Sequence, residues 1–324
     1  MNALSTQGLV VHTLHGQTMG TNWSVRFCAS TDADLHAWHS RVQAVLDHIV
    51  AQMSTWEPDS DISRFNRAPA GQWQSMPAEF MRVLACSLAI ARDSDGAFDP
   101  SVGSLVGAWG FGAHAREQSI PEASVQQAAQ AGVGWQRLQV DVDASRVLQP
   151  GGLQLDFSAI AKGFGVDAVV EMLQARGVLS ALVEVGGELR GFGRKPDGER
   201  WRVLMESAPD EEADANLPMR VIALDDHAVA TSGDRWHAFE ADGQRFSHTL
   251  DPRSGRPVQA ASAAVTVVAP SAMEADGWAT ALTVLGVEAG LALAAERDLA
   301  VRYVVRRDDG LVEHCSPALG AWLS

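Results

Sequence analysis

Asp276 and Thr280 stand four residues apart in VTVVAPSAMEADGWATALTVLG (265–286), a run that starts like a strand, passes Pro270 and resumes as an apolar helix. At that spacing the carboxylate and the hydroxyl share one helical face. Two chemistries meet the pattern. Asp276 can serve the positive end of the helix while Thr280 bonds its own i−4 carbonyl. Alternatively, the two oxygens can hold a hard cation such as Mg²⁺, which takes one or two carboxylates and leaves its other positions to water and substrate phosphate.

Three further islands carry polar groups among glycines. In LDFSAIAKGFGVD (155–167), small residues surround Lys162 just before a helix. That composition lets a backbone approach phosphate at a helix N-terminus, with Lys162 as a point charge, or simply makes a tight strand-to-helix turn. The spacing is neither a P-loop nor a Rossmann fingerprint. In VATSGDRWHAFEADGQRFSHTLDPRSGRPV (229–258), Thr231, Ser232 and Gly233 suit a backbone nest for an anion. His248 precedes a turn around Pro252 and Gly255, placed either as a structural strand residue or to orient phosphate and exchange a proton. In MSTWEPDSDISRFN (53–66) and FDPSVGSLVGAWGFG (98–112), Trp56, Phe98 and Trp109 lie in polar or glycine-rich surroundings. They either anchor long loops or stack on a planar heterocycle. An aromatic slot, a lysine turn, a Ser/Thr/His island and an oxygen pair are together the parts of a dinucleotide pyrophosphate site.

The elements that must position these groups read as follows. WSVRF (23–27) alternates as a strand, and 32–53 shows helical spacing of Leu35, Trp38, Val42, Val45, Leu46, Ile49 and Met53. The polar segment 53–66 separates that helix from a second one over 77–96. Residues 153–177 read as a short strand, a turn at 158–163 and a helix closing at Gly177. Residues 181–193 read as a strand interrupted by Gly186–Gly187, and RWRVLMES (200–207) as another strand. Strands joined by turns, including ADG and RSG, follow to Pro270, with PDEEADANLP (209–218) as a solvated loop. Strands in runs with helices between only some of them indicate an α+β fold of mixed or antiparallel sheets rather than a doubly wound parallel sheet.

With 25 basic and 40 acidic residues, the chain of 324 carries a formal charge of −15 and has no general attraction for nucleic acid or anionic lipid. Cys28, Cys86 and Cys315 suggest neither a disulfide framework nor a zinc site. No window is expected to reach the roughly 18 apolar residues of a membrane helix. The N-terminus shows no signal peptide, so the expectation is a cytoplasmic protein, or a periplasmic one with its leader removed.

The order of TMGT (18–21), MSTW.PDSDISRFN, FDPSVG.LVGAWGFG, DFSAIAKGFGVD, VEVGGELRGFG, TSGD, SHTLDPRSGRPV and TVVAPSAMEADGWATAL closely resembles the FAD:protein FMN transferase, or ApbE, family from about Met19 to the C-terminus. The resemblance implies one α+β domain spanning 1–324, with two lobes and a soft boundary between them. It also implies Mg²⁺-dependent cleavage of the FAD pyrophosphate. FMN would pass to a Thr or Ser of a target flavoprotein subunit, and AMP would be released. By matching position, Asp276, Thr280 and the Ala159 carbonyl would hold the metal. Met19, Trp56, Ala97, Phe98, Asp99, Asp156, Lys162 and Leu250 would line the FAD site, and His248 would stand by the pyrophosphate. The departures are Ser158–Ala159 where paired glycines are frequent, Trp56 where Tyr is frequent, and Glu188 where Asp is common. Two rival readings use the same residues: an Mg²⁺-dependent FAD pyrophosphatase giving FMN and AMP, and a flavin-binding carrier without turnover.

Overall fold

A computed structural model describes residues 8–113, 118–206, 217–233, 238–241, 244–258, 262–307 and 310–323. Among these, eight strands form one sheet: β1 (Val10–Thr18), β2 (Thr21–Ala29), β3 (Ala181–Val185), β4 (Glu188–Phe192), β5 (His227–Gly233), β6 (Ser262–Ala269), β7 (Ala300–Arg307) and β8 (Gly310–Cys315). They lie side by side in chain order, and every neighbouring pair is antiparallel. The fold is therefore α+β, as the strand runs indicated. The strand expected to be interrupted at Gly186–Gly187 is instead a hairpin. Both glycines have positive φ (60° and 101°), so the chain reverses there and β4 returns along β3.

Among the described residues seven α-helices accompany the sheet, and the first, sixth and seventh lie against one of its faces. The seven are α1 (Leu35–Met53), α2 (Asp61–Arg67), α3 (Ala78–Asp93), α4 (Gly103–Ala108), α5 (Ala123–Gly132), α6 (Ala161–Ala175) and α7 (Ala272–Glu296). Asp34 caps α1 by accepting the Ala37 N–H at 2.9 Å, and Val42, Leu46, Ile49 and Met53 form its buried stripe. The polar segment 53–66 holds α2, whose start Ser60 marks by accepting the Ser63 N–H. Val166, Val169 and Val170 of α6 pack with Val25, Phe27, Val183 and Val185 of the sheet. Phe164, Val265, Val267, Leu282 and Tyr303 belong to the larger core beneath α3, α6 and α7. The opposite sheet face is covered by the two-stranded ribbon Trp201–Leu204 with Val221–Leu224 and by the turn Pro317–Trp322.

Two expectations need correction. Residues 153–157 form no strand; Gln154 makes a single parallel bridge with Val102. By length and composition α7 does reach the threshold for crossing a membrane. It is apolar all round because it lies between β5 and β6 on one side and α6 and α3 on the other, and Gly286 (φ 74°) breaks its helical course. The loop 209–218 lies largely outside the described residues, as do Asp242 and Gly243 of the ADG turn.

Candidate active site

Three segments meet at the start of α6. Asp276 projects from the second turn of α7, 3% exposed, and its Oδ2 accepts the Gly163 N–H at 3.0 Å. A Cβ at Gly163 would stand 2.2 Å from the Ala272 carbonyl oxygen and 2.9 Å from Asp276 Cβ, so only glycine lets α6 and α7 approach this closely. Lys162 Nζ donates to Glu188 Oε1 at 2.8 Å and stands 3.6 Å from Asp276 Oδ1. Burial works against the ammonium charge, but Asp276 and Glu188 outweigh it and hold Lys162 above the ordinary lysine range. Burial pushes the Glu188 carboxyl above the usual carboxylate range, with Lys162 opposing the shift and Asp276 adding to it.

The TMGT hairpin closes one side. Met19 (φ 48°) and Gly20 (φ 71°) make the β1–β2 turn, which asks for positive φ at both positions. A Cβ at Gly186 would meet Thr21 Cγ2 at 2.8 Å and Lys162 Cδ at 3.2 Å, and one at Gly165 would lie 3.5 Å from Met19 Cε. Met19, the glycine hairpin and Lys162 are thus one neighbourhood.

Thr280, one turn beyond Asp276, meets Ser232, with the two hydroxyl oxygens 3.2 Å apart. Thr231 points to the other sheet face and pairs with Thr266 at 2.9 Å. The expected anion nest is not formed, because Thr231–Gly233 are extended and paired with Ala264–Thr266 of β6. The backbone cradle at Lys162 is partly filled from within: the Ala161 N–H goes to the Phe157 carbonyl, Gly163 to Asp276 and Phe164 to the Ile160 carbonyl.

The 97–99 segment joins from behind. The Asp156 N–H donates to the Pro100 carbonyl at 2.8 Å, and Asp156 Oδ1 accepts the Ser158 N–H at 2.8 Å and the Ser158 hydroxyl at 2.5 Å, shaping the turn into α6. Asp99 is buried; its Oδ1 accepts from Ser101 and its Oδ2 from the Trp135 N–H. Burial raises the Asp99 carboxyl, and these hydrogen bonds draw it back. Ala97 and Phe98 are also buried, and Trp109 is 3% exposed with its indole N–H on the Gly255 carbonyl. The three aromatics therefore do not form one slot: Phe98 and Trp109 serve the core, whereas Trp56 is 68% exposed and offers a ring face. His248 lies in the turn before Leu250, edge-on to Phe111 with ring centroids 6.5 Å apart, and Leu250 packs with Leu105 and Trp109. A cleft of about 520 Å³ lined by Trp109, Phe246, Asp251, Arg256 and Val284 flanks this segment, and of the candidate residues Trp109 alone lines it.

A hard metal ion fits the donors at Asp276. Gly163 is the third residue of α6, so its N–H has no carbonyl partner within the helix and goes to Asp276, and the Ala159 carbonyl, one residue before the N-cap Ile160, lies outside the helical ladder. One carboxylate, one hydroxyl and one backbone carbonyl outside the helix are hard oxygens suited to Mg²⁺. Among the described residues no three His, Cys, Asp or Glu side chains converge on a metal position, so softer multi-ligand sites have no candidate there. Sequence reading missed Asp167 and the part Glu188 plays. The available signal was alternating charge on β4, where Glu188 and Arg190 share a face and pair with Lys162 and Asp167 of α6.

The ApbE family model matches residues 19–304. The chain is 36% identical to the FAD:protein FMN transferase of Vibrio cholerae over 312 residues, covering 96% of this chain and 92% of the relative. It is 33% identical to that of Escherichia coli K12 over 324 residues, covering 98% and 91%. Among solved structures, the apo flavinyl transferase ApbE of Pseudomonas stutzeri superposes with a TM-score of 0.89 at 41% identity over 97% of each chain. The ApbE protein of Thermotoga maritima superposes with a TM-score of 0.84 at 26% identity, over 97% of this chain and 99% of its own. A family match across most of the length, together with full-length relatives above 30% identity, makes this chain a member of the ApbE family.

Proposed function

We propose that this chain is an FAD:protein FMN transferase that moves FMN from FAD to a Thr or Ser hydroxyl of a target flavoprotein subunit and releases AMP. The observation that carries the reading is the junction of Lys162, Gly163 and Asp276, with Thr280 and Ser232 beside it, in a chain of this family. The acceptor oxygen forms a bond to the FMN-side phosphorus, the bond from that phosphorus to the bridging oxygen breaks, and AMP leaves with the bridge. The acceptor proton goes to His248, whose ring stands edge-on to Phe111, or to a nearby carboxylate. Lys162 neutralises pyrophosphate charge, and Trp56 stacks on a ring of the dinucleotide. Asp276, Thr280 and the Ala159 carbonyl would hold Mg²⁺, which when bound supplies positive charge to the pyrophosphate.

The test incubates the chain with FAD, Mg²⁺ and a candidate acceptor subunit, then reads in-gel flavin fluorescence, intact mass and AMP. Transfer gives a fluorescent acceptor heavier by one FMN unit and an equal amount of AMP. Free FMN with AMP and no adduct would make the chain a pyrophosphatase, and FAD recovered intact would make it a carrier.

A further inference from the structure

Lys162 and Lys195 are the only lysines in the chain. Lys195 pairs with Asp197 and Glu199 at the surface, whereas Lys162 reaches between two buried carboxylates. The two sides of that reach are unequal. Glu188 Oε1 accepts a hydrogen bond at 2.8 Å, and Asp276 Oδ1 is an ion-pair partner at 3.6 Å. Asp276 Oδ2 is committed to the Gly163 N–H, so Oδ1, the oxygen facing the ammonium, is also the one left for a metal ion. Glu188 Oε2 is buried and has no hydrogen-bond partner. A buried carboxylate oxygen without a donor is costly and calls for a use.

An ammonium and a divalent cation cannot share one carboxylate oxygen without strong repulsion. When the ion arrives, the ammonium has to leave Asp276, and Glu188 Oε2 is an idle acceptor on the carboxylate it already grips. The stem has room to swing, because Gly186 presents no Cβ where one would stand 3.2 Å from Lys162 Cδ. We propose that Lys162 is the stand-in cation of Asp276 in the metal-free protein, and that Glu188 is the positioning residue that takes the ammonium over when a divalent ion binds. This rests on the proposed function only for the identity of the metal oxygens.

The experiment titrates Mg²⁺ into FAD-free protein by calorimetry and follows the side-chain nitrogens of ¹⁵N-lysine-labelled protein, in which two lysines simplify assignment. Mg²⁺ is expected to shift the Lys162 Nζ resonance with the same midpoint that calorimetry gives. Lys162→Met is expected to bind Mg²⁺ about tenfold tighter and Glu188→Gln about tenfold weaker, as removal of a competing charge or of its receiver requires. Binding by Lys162→Met alone, with none by the wild type, supports the handover in its extreme form. Mg²⁺ binding that leaves the Lys162 resonance unmoved overturns it, as does no binding by any variant. So does a Lys162→Met affinity no tighter than wild type. If Lys162→Met does not fold, the wild-type resonance and Glu188→Gln decide. Asp276→Ala separates the two failures: lost binding keeps the metal assignment while the other variants judge the handover, and retained binding overturns both.

Discussion

Asp167, in the middle of α6, accepts the backbone N–H of Met273 at 2.9 Å across 106 positions of sequence. Its other oxygen accepts the Ala272 N–H at 3.1 Å and a hydrogen bond from Arg190 of β4 at 2.6 Å. A buried carboxylate on α6 thus fixes the first turn of α7, and Asp276 follows one turn later. The neighbouring clasp has the opposite order of charge, with Glu188 of β4 holding Lys162 of α6 against Asp276 of α7. Two parallel links therefore tie the same three elements together, and the candidate metal position lies at one of them.

Asp167→Asn should be strongly destabilising. It leaves the Arg190 guanidinium partly buried without its counter-charge and weakens two N–H contacts to α7. Breaking a buried pair in this way costs about 3–5 kcal/mol. Urea unfolding measures it, and a loss below about 1 kcal/mol would show that the clasp does not hold α7.

Trp56→Ala should weaken FAD binding about tenfold with no change in unfolding midpoint, because the ring is exposed and supports no core contact. Loss of a stacking face is worth on the order of 1 kcal/mol. Trp56→Tyr should retain most of the affinity. Quenching of flavin fluorescence on binding reports both, and equal affinity for Trp56→Ala and wild type would remove Trp56 from the site.

At the far edge of the sheet, Glu313 of β8 is gripped by Arg220 and by the fully buried Arg302. The hydrogen bond from Arg220, followed by that from Arg302, holds the Glu313 carboxyl below the usual glutamate range against the opposing effect of burial. The folded-state value is the lower one, so on acidification the unfolded chain takes up this proton first. The contribution is full above the unfolded glutamate value of about 4.3 and is lost as pH falls through the folded value. Glu313→Gln should lower stability at pH 7 and flatten the acid limb of a stability–pH curve. A curve parallel to wild type below pH 5 would contradict this.

Much of this arrangement was legible because it rests on local rules. The stripe of α1, the cap at Asp34 and the Asp276–Thr280 spacing each involve residues within a turn or a few turns of one another. The short helix α2 was missed because its composition is polar and only the Ser60 cap marks it. The expected strand at 153–157 fails because its backbone bonds serve Pro100, Gly103 and Asn66 rather than a sheet. Phe98 and Trp109 were read as stacking faces because local sequence shows glycine-rich surroundings but not the distant segments that bury them, such as the 250s turn against Trp109. Asp167 and Glu188 were missed for the same reason: their partners are 23 to 106 positions away.

The proposed transfer stands or falls with a divalent ion held by Asp276 and Thr280 at the pyrophosphate of FAD. Crystals grown with FAD and Mn²⁺ in place of Mg²⁺, with diffraction recorded at the manganese edge, test it most directly. One anomalous peak is expected within coordination distance of the Asp276 carboxylate, the Thr280 hydroxyl and the Ala159 carbonyl, touching a phosphate oxygen. A peak elsewhere, or FAD bound with Asp276 still paired only to Gly163 and Lys162, would contradict it.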